Sequence, residues 1–86
     1  MSDVENLLDE LNGRLTAVWA KHPETYLFIW SLQKHIKYAL ENPKEVRLGK
    51  LMEKAKDWLR VQQWKHPIFR DEFQVMIDRI GKFEDQ

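Results

Sequence analysis

The residues of this 86-residue chain best suited to hold a transition metal are its three histidines, His22, His35 and His66, with Glu24 or Asp71 as oxygen donors. Helical zinc sites take histidines one turn apart at i and i+4, and di-iron bundles take Glu-x-x-His; neither spacing occurs here. His22 and His66 could approach each other only if both hairpin loops lay at one end of the fold. They are better read as residues flanking helix starts, so neither a metal nor any other cofactor is expected. The hydroxyls Ser2, Thr16, Thr25 and Ser31 include none in a nucleophile elbow or beside an evident base. The three glycines never cluster, which excludes a phosphate-cradling loop, and with no cysteine there is no thiolate chemistry. The adjacent carboxylates Asp9-Glu10 and Asp71-Glu72 fall on helix surfaces, where charge is ordinary. The chain reads as a non-enzyme.

Surfaces therefore carry the functional reading. Net charge is zero, yet residues 1–33 balance at −3, residues 34–70 at +6 and residues 71–86 at −3. Within the basic middle, Lys34 and Lys37 lead into Lys44, Arg47, Lys50 and Lys54, of which Arg47, Lys50 and Lys54 share a helical face. Trp64-Lys65 sets an aromatic beside charge at its end. Phosphate contact by Lys37, Lys44, Arg47, Lys50 and Lys54 would make a nucleic-acid-binding helical protein of the 34–65 stretch. Interleaved Glu45, Glu53 and Asp57, and the lack of a recognition-helix turn, rank that second.

The apolar run Tyr26-Leu27-Phe28-Ile29-Trp30 carries more weight, because successive residues step by 100° around a helix and five of them exceed what one face can bury. With Ile29, Leu32, Ile36 and Leu40 inward, Leu27 and Tyr38 project to nearly the opposite side and Trp30 lies between. Either this helix is enclosed on all sides, or Tyr26, Leu27, Trp30, Lys34 and Tyr38 form a partner-binding surface. Aromatics rimmed by lysine have the composition of an interface centre.

The elements that must position these residues are delimited by three prolines, each placed where a helix can begin. Ser2 and Glu5 have capping-box spacing, followed by Val4, Leu7, Leu8, Leu11, Leu15 and Val18 on one face, which predicts a helix over about 3–20. A second helix opens at His22-Pro23-Glu24 and closes at Glu41-Asn42-Pro43. Asn42 and Glu45 repeat the capping-box spacing, predicting a third helix with Leu48, Leu51, Met52, Ala55, Trp58 and Leu59 inward. A fourth starts near Pro67, with Phe69, Phe73, Met76, Ile77 and Ile80 inward and Gly81 as its expected stop.

Lys21-His22-Pro23 recurs as Lys65-His66-Pro67, 44 positions on, and core positions fall on core positions at that offset. The expected fold is all-α: a four-helix antiparallel bundle of two αα-hairpins, about 3–41 and 43–83, in a single domain over 1–86. At the same offset Asp71 and Glu72 take the places of Leu27 and Phe28, so surplus apolar surface is expected in the first hairpin alone. A hydrophobic fraction of 43%, a charged fraction of 33%, the lack of an apolar leader and the shortness of every apolar run favour a soluble cytoplasmic protein without membrane contact. The leading expectation is a small regulator, adaptor or inhibitor-type module that binds another protein, or itself as a homodimer, with no small-molecule substrate.

Overall fold

Ser2 starts the first helix as its spacing from Glu5 predicts. Its Oγ accepts from the Glu5 N–H at 3.2 Å, while the Glu5 carboxylate accepts from the Ser2 N–H at 3.4 Å, so two donors that the helix cannot satisfy internally are paired. In the computed structural model, which describes residues 2–85, this helix is α1 (Asp3–Lys21), followed by α2 (Tyr26–Glu41), α3 (Glu45–Lys65) and α4 (Arg70–Glu84). The chain is all-α, with no strand among the described residues. Ser2→Ala should cost about 1 kcal/mol, and the thermal midpoint read by circular dichroism should fall by about 4–8 °C.

The two Lys-His-Pro tripeptides build the same corner. A proline disfavours helical backbone at the residue before it, and His22 (φ −131°, ψ 81°) and His66 (φ −130°, ψ 71°) both leave the helical region. Each histidine N–H still closes the preceding helix, donating at 2.8 Å to Val18 O and Gln62 O respectively. Each histidine carbonyl then accepts from the residue three ahead, Thr25 at 2.9 Å and Phe69 at 3.0 Å, forming a 3₁₀ turn over Pro23–Thr25 and Pro67–Phe69. Proline suits the first position of such a turn because its missing N–H would have had no partner. Helices α2 and α4 follow at once, so turn and helix starts coincide at the 44-residue offset.

The chain divides into two compact units, one running through Leu51 and the other starting at Met52, with the division inside α3. In the first unit α1 and α2 pair as an antiparallel hairpin. The Gln33 amide, eight residues beyond Thr25, donates to Asn12 O at 3.2 Å and Thr16 Oγ1 at 2.8 Å on α1. Leu7, Leu8, Leu11, Leu15 and Val18 of α1, and Ile29, Leu32, Ile36 and Ala39 of α2, are buried. Leu40, expected inside, is half-buried, because the stripe continues from Ile36 by a step of three to Ala39.

In the second unit α3 and α4 pair across the equivalent corner. Lys56 Nζ meets Glu84 Oε1 at 2.6 Å, and the Gln63 amide donates to Arg70 O at 3.0 Å and Gln74 Oε1 at 2.8 Å. Phe69, Phe73, Met76, Ile77 and Ile80 are all buried, as the sequence pattern predicts, and Phe73 packs edge-on against both Trp58 and Phe69. Leu51 and Trp58 are half-buried.

Two helix boundaries differ from expectation. Asn42 (φ −131°, ψ 66°) ends α2, its N–H donating to Tyr38 O at 3.2 Å, and does not cap α3. Pro43 drives Asn42 out of helical backbone as Pro23 does His22. The first helical acceptor of α3 is then Lys44 O, reached by the Leu48 N–H at 2.9 Å, so the Asn42–Glu45 spacing is not a cap. Gly81 is not a stop. No described glycine has positive φ, and α4 runs on to Glu84, where the contact with Lys56 lies. A mid-helix glycine costs about 1 kcal/mol against alanine, which this extra turn tolerates.

Candidate functional site: the outer face of the second helix

Of the residues expected to form a partner surface, Tyr26, Leu27, Trp30, Lys34 and Tyr38 are all exposed. Leu27, Trp30, Lys34 and Tyr38 follow one another in steps of three, four and four, making a continuous stripe, with Tyr26 beside it one turn before Trp30. Exposure follows distance from the buried stripe. Leu27, nearly opposite Ile36, is 87% accessible, Tyr38 59% and Trp30 48%. The alternative in which α2 is enclosed all round does not hold for the chain by itself.

The stripe has internal order. Lys34 Nζ lies 4.9 Å from the Trp30 ring centroid, and Arg47 Cζ lies 5.7 Å from that of Tyr38. Such contacts contribute about 0.5–1 kcal/mol each at exposed sites and hold long side chains against the rings. Trp19 on α1 meets Tyr26 edge-on at 5.6 Å, extending the aromatic surface to the α1 side. Asn12, Trp30, Gln33, Lys37, Tyr38 and Glu41 line an open depression of about 470 Å³ together with Lys34. The Arg47 contact was not legible in the sequence, since Tyr38 and Arg47 lie on different helices and only folding brings them together.

The residues of the nucleic-acid reading, Lys37, Lys44, Arg47, Lys50 and Lys54, are exposed as well. Lys37 lies on α2, within the depression, and Arg47 stacks on Tyr38, so these two belong to the aromatic face. Arg47 and Lys50 fall in the first unit and Lys54 in the second. Among the described residues no group of three or more His, Cys, Asp or Glu side chains could hold a metal ion. His22 Nδ1 stands 3.9 Å from Glu24 Oε1 within its own turn, and His35 is exposed on α2. Thr25 is fully buried, its Oγ1 donating to His22 O at 2.8 Å, which gives that hydroxyl a structural task. No helix among the described residues is long and apolar enough to cross a membrane.

The 44-residue offset supplies an internal comparison. Positions 19, 26, 27, 30, 34 and 38 hold Trp, Tyr, Leu, Trp, Lys and Tyr; positions 63, 70, 71, 74, 78 and 82 hold Gln, Arg, Asp, Gln, Asp and Lys. In the second hairpin these polar residues bond one another, Gln63 to Gln74 and Gln74 to Asp78 at 2.8 Å each. The same corner and helix pairing thus form without an aromatic outer face. The first turn of α2 also lacks the acids, and its last turn the base, that α4 carries as Asp71, Glu72 and Lys82, although Glu24 stands in the preceding turn.

One expectation fails. Apolar surplus is not confined to the first hairpin, because Trp64 and Ile68 are each 81% exposed and Val61 is also exposed. They flank the second corner, where the first has Ala20, Glu24 and Ala17. A comparison of α2 with α4 overlooks them, since they belong to the end of α3 and to the turn. The exposed Trp64 beside Lys65 was the available signal.

No protein-family model matches this chain, no curated protein matches it in sequence, and no solved structure matches it in fold.

Proposed function

We propose that this chain is a small non-enzymatic protein–protein interaction module, of the regulator, adaptor or inhibitor type, that binds through Tyr26, Leu27, Trp30, Lys34 and Tyr38 on α2. The observation that carries this is the contrast between α2 and α4. Two helices follow the same corner, yet one presents leucine and aromatics where the other presents a hydrogen-bonded polar row. Exposed leucine and tyrosine contribute little to a folded monomer, whereas buried against a partner each is worth about 1.5–3 kcal/mol. The occupant is another protein or, in the simplest version, a second copy of the chain.

Trp30→Ala and Tyr38→Ala test the reading. Each should weaken association by at least about 30-fold, as central aromatic anchors do, while helicity by circular dichroism stays nearly unchanged. Mass by light scattering follows the homodimer, and affinity capture with the variants follows a foreign partner. Unfolding of both variants would make these residues core and end the proposal.

A further inference from the structure

Resting on that interaction reading, we infer that the segment bound by α2 is an acidic amphipathic helix of a partner protein. Its apolar side chains lie along Leu27, Trp30 and Tyr38, and its carboxylates face Lys34, Lys37 and Arg47.

The first ground is charge. Arg47 against Tyr38 joins the aromatic stripe to the start of α3, so cations of the first unit border the aromatic face. Residues 34–50 carry five exposed cations, Lys34, Lys37, Lys44, Arg47 and Lys50, against two acids, Glu41 and Glu45. A carboxylate-bearing partner meets that field favourably, and a basic one is repelled.

The second ground is shape. Leu27 and Tyr38 are eleven residues apart, a run of roughly 16 Å or three helical turns at 1.5 Å per residue. A helix laid alongside offers apolar residues at the same three- and four-residue steps, the usual mode by which amphipathic helices dock. The open depression between Trp30 and Tyr38 gives one of them a seat.

The same features disfavour other occupants. Leu27, the most exposed apolar side chain of the stripe, has no counterpart among phosphates. In a symmetric pair of copies crossing at the middle of the stripe, Lys34, which lies between Trp30 and Tyr38, would face its own mate.

The test is fluorescence anisotropy with the full chain and three labelled probes. Two are helical peptides of about 16 residues with leucine at three- and four-residue steps, flanked in one by glutamate and in the other by lysine; the third is a single-stranded oligothymidine. The glutamate peptide should bind at least about 10-fold tighter than the lysine peptide and weaken with salt. The double variant Lys34→Glu/Lys37→Glu should reverse the preference, and Leu27→Asp should abolish binding of both peptides. Equal binding of the two peptides, still lost in Leu27→Asp, would overturn the acidic partner and leave the interaction face standing. Binding of the oligonucleotide alone, or of peptides indifferent to Leu27→Asp, would overturn both; binding of no probe would overturn the acidic helix, and light scattering on the same sample then shows whether a second copy covers the face.

Discussion

Phe73→Ala is expected to lower the unfolding free energy by about 3–5 kcal/mol, the largest single-residue effect on stability in the second hairpin. Phe73 is fully buried and packs edge-on against Trp58, at 6.2 Å between ring centroids, and against Phe69, at 6.3 Å. Truncation removes the transfer energy of a phenyl ring and both aromatic pairings, and leaves a cavity bounded by rings that cannot collapse freely. A chain of this length has only about 5–10 kcal/mol in total. Its thermal midpoint should therefore drop by about 15–30 °C in a circular-dichroism melt. Phe73→Leu, which keeps most of the volume, should recover more than half of the loss. A melt within a few degrees of the parent for Phe73→Ala would contradict the packing described for this hairpin.

The second large effect is on binding. Leu27→Asp with Tyr38→Lys gives α2 the residues that α4 carries at positions 71 and 82. Both side chains are mostly exposed, so little packing is lost, and an acid early and a base late in a helix complement its dipole. Replacing Tyr38 removes the Arg47 stacking and brings a like charge near Arg47. These terms nearly cancel, and the melting free energy should move by less than about 1 kcal/mol. Association through α2 should fall by more than about 100-fold, since a central apolar anchor is replaced by a desolvated charge. Calorimetric melting and light scattering or capture on the same samples separate the two effects. A variant that melts as the parent does and associates equally well would show that this face is not the binding surface.

Local chemistry determined a large part of this protein. The Ser2–Glu5 cap, the three proline-led breaks and the 3.6-residue periodicity follow from neighbours a few positions apart, and were legible for that reason. The row Phe69, Phe73, Met76, Ile77 and Ile80 was read correctly because a helix pressed against one neighbour buries one stripe. The two helix boundaries were misread where local rules compete. Asn42 can cap a following helix or end a preceding one, and Pro43 decides for the end. Gly81 can end a helix or be carried within it, and the Lys56–Glu84 contact, between residues 28 apart, lies on the turn beyond it.

The same division holds for the site. Sequence periodicity by itself determined that Leu27 and Tyr38 lie nearly opposite Ile29 and Ile36, with Trp30 between, since position around a helix is a matter of residue count. It could not determine whether that stripe is covered, because coverage depends on which surfaces the fold brings near. Tertiary structure decided that the stripe stays open and that Arg47 of α3 comes to rest on Tyr38 of α2, which brings a cation of the basic stretch to the aromatic face. It also decided that Trp64 and Ile68 remain in solvent at the second corner.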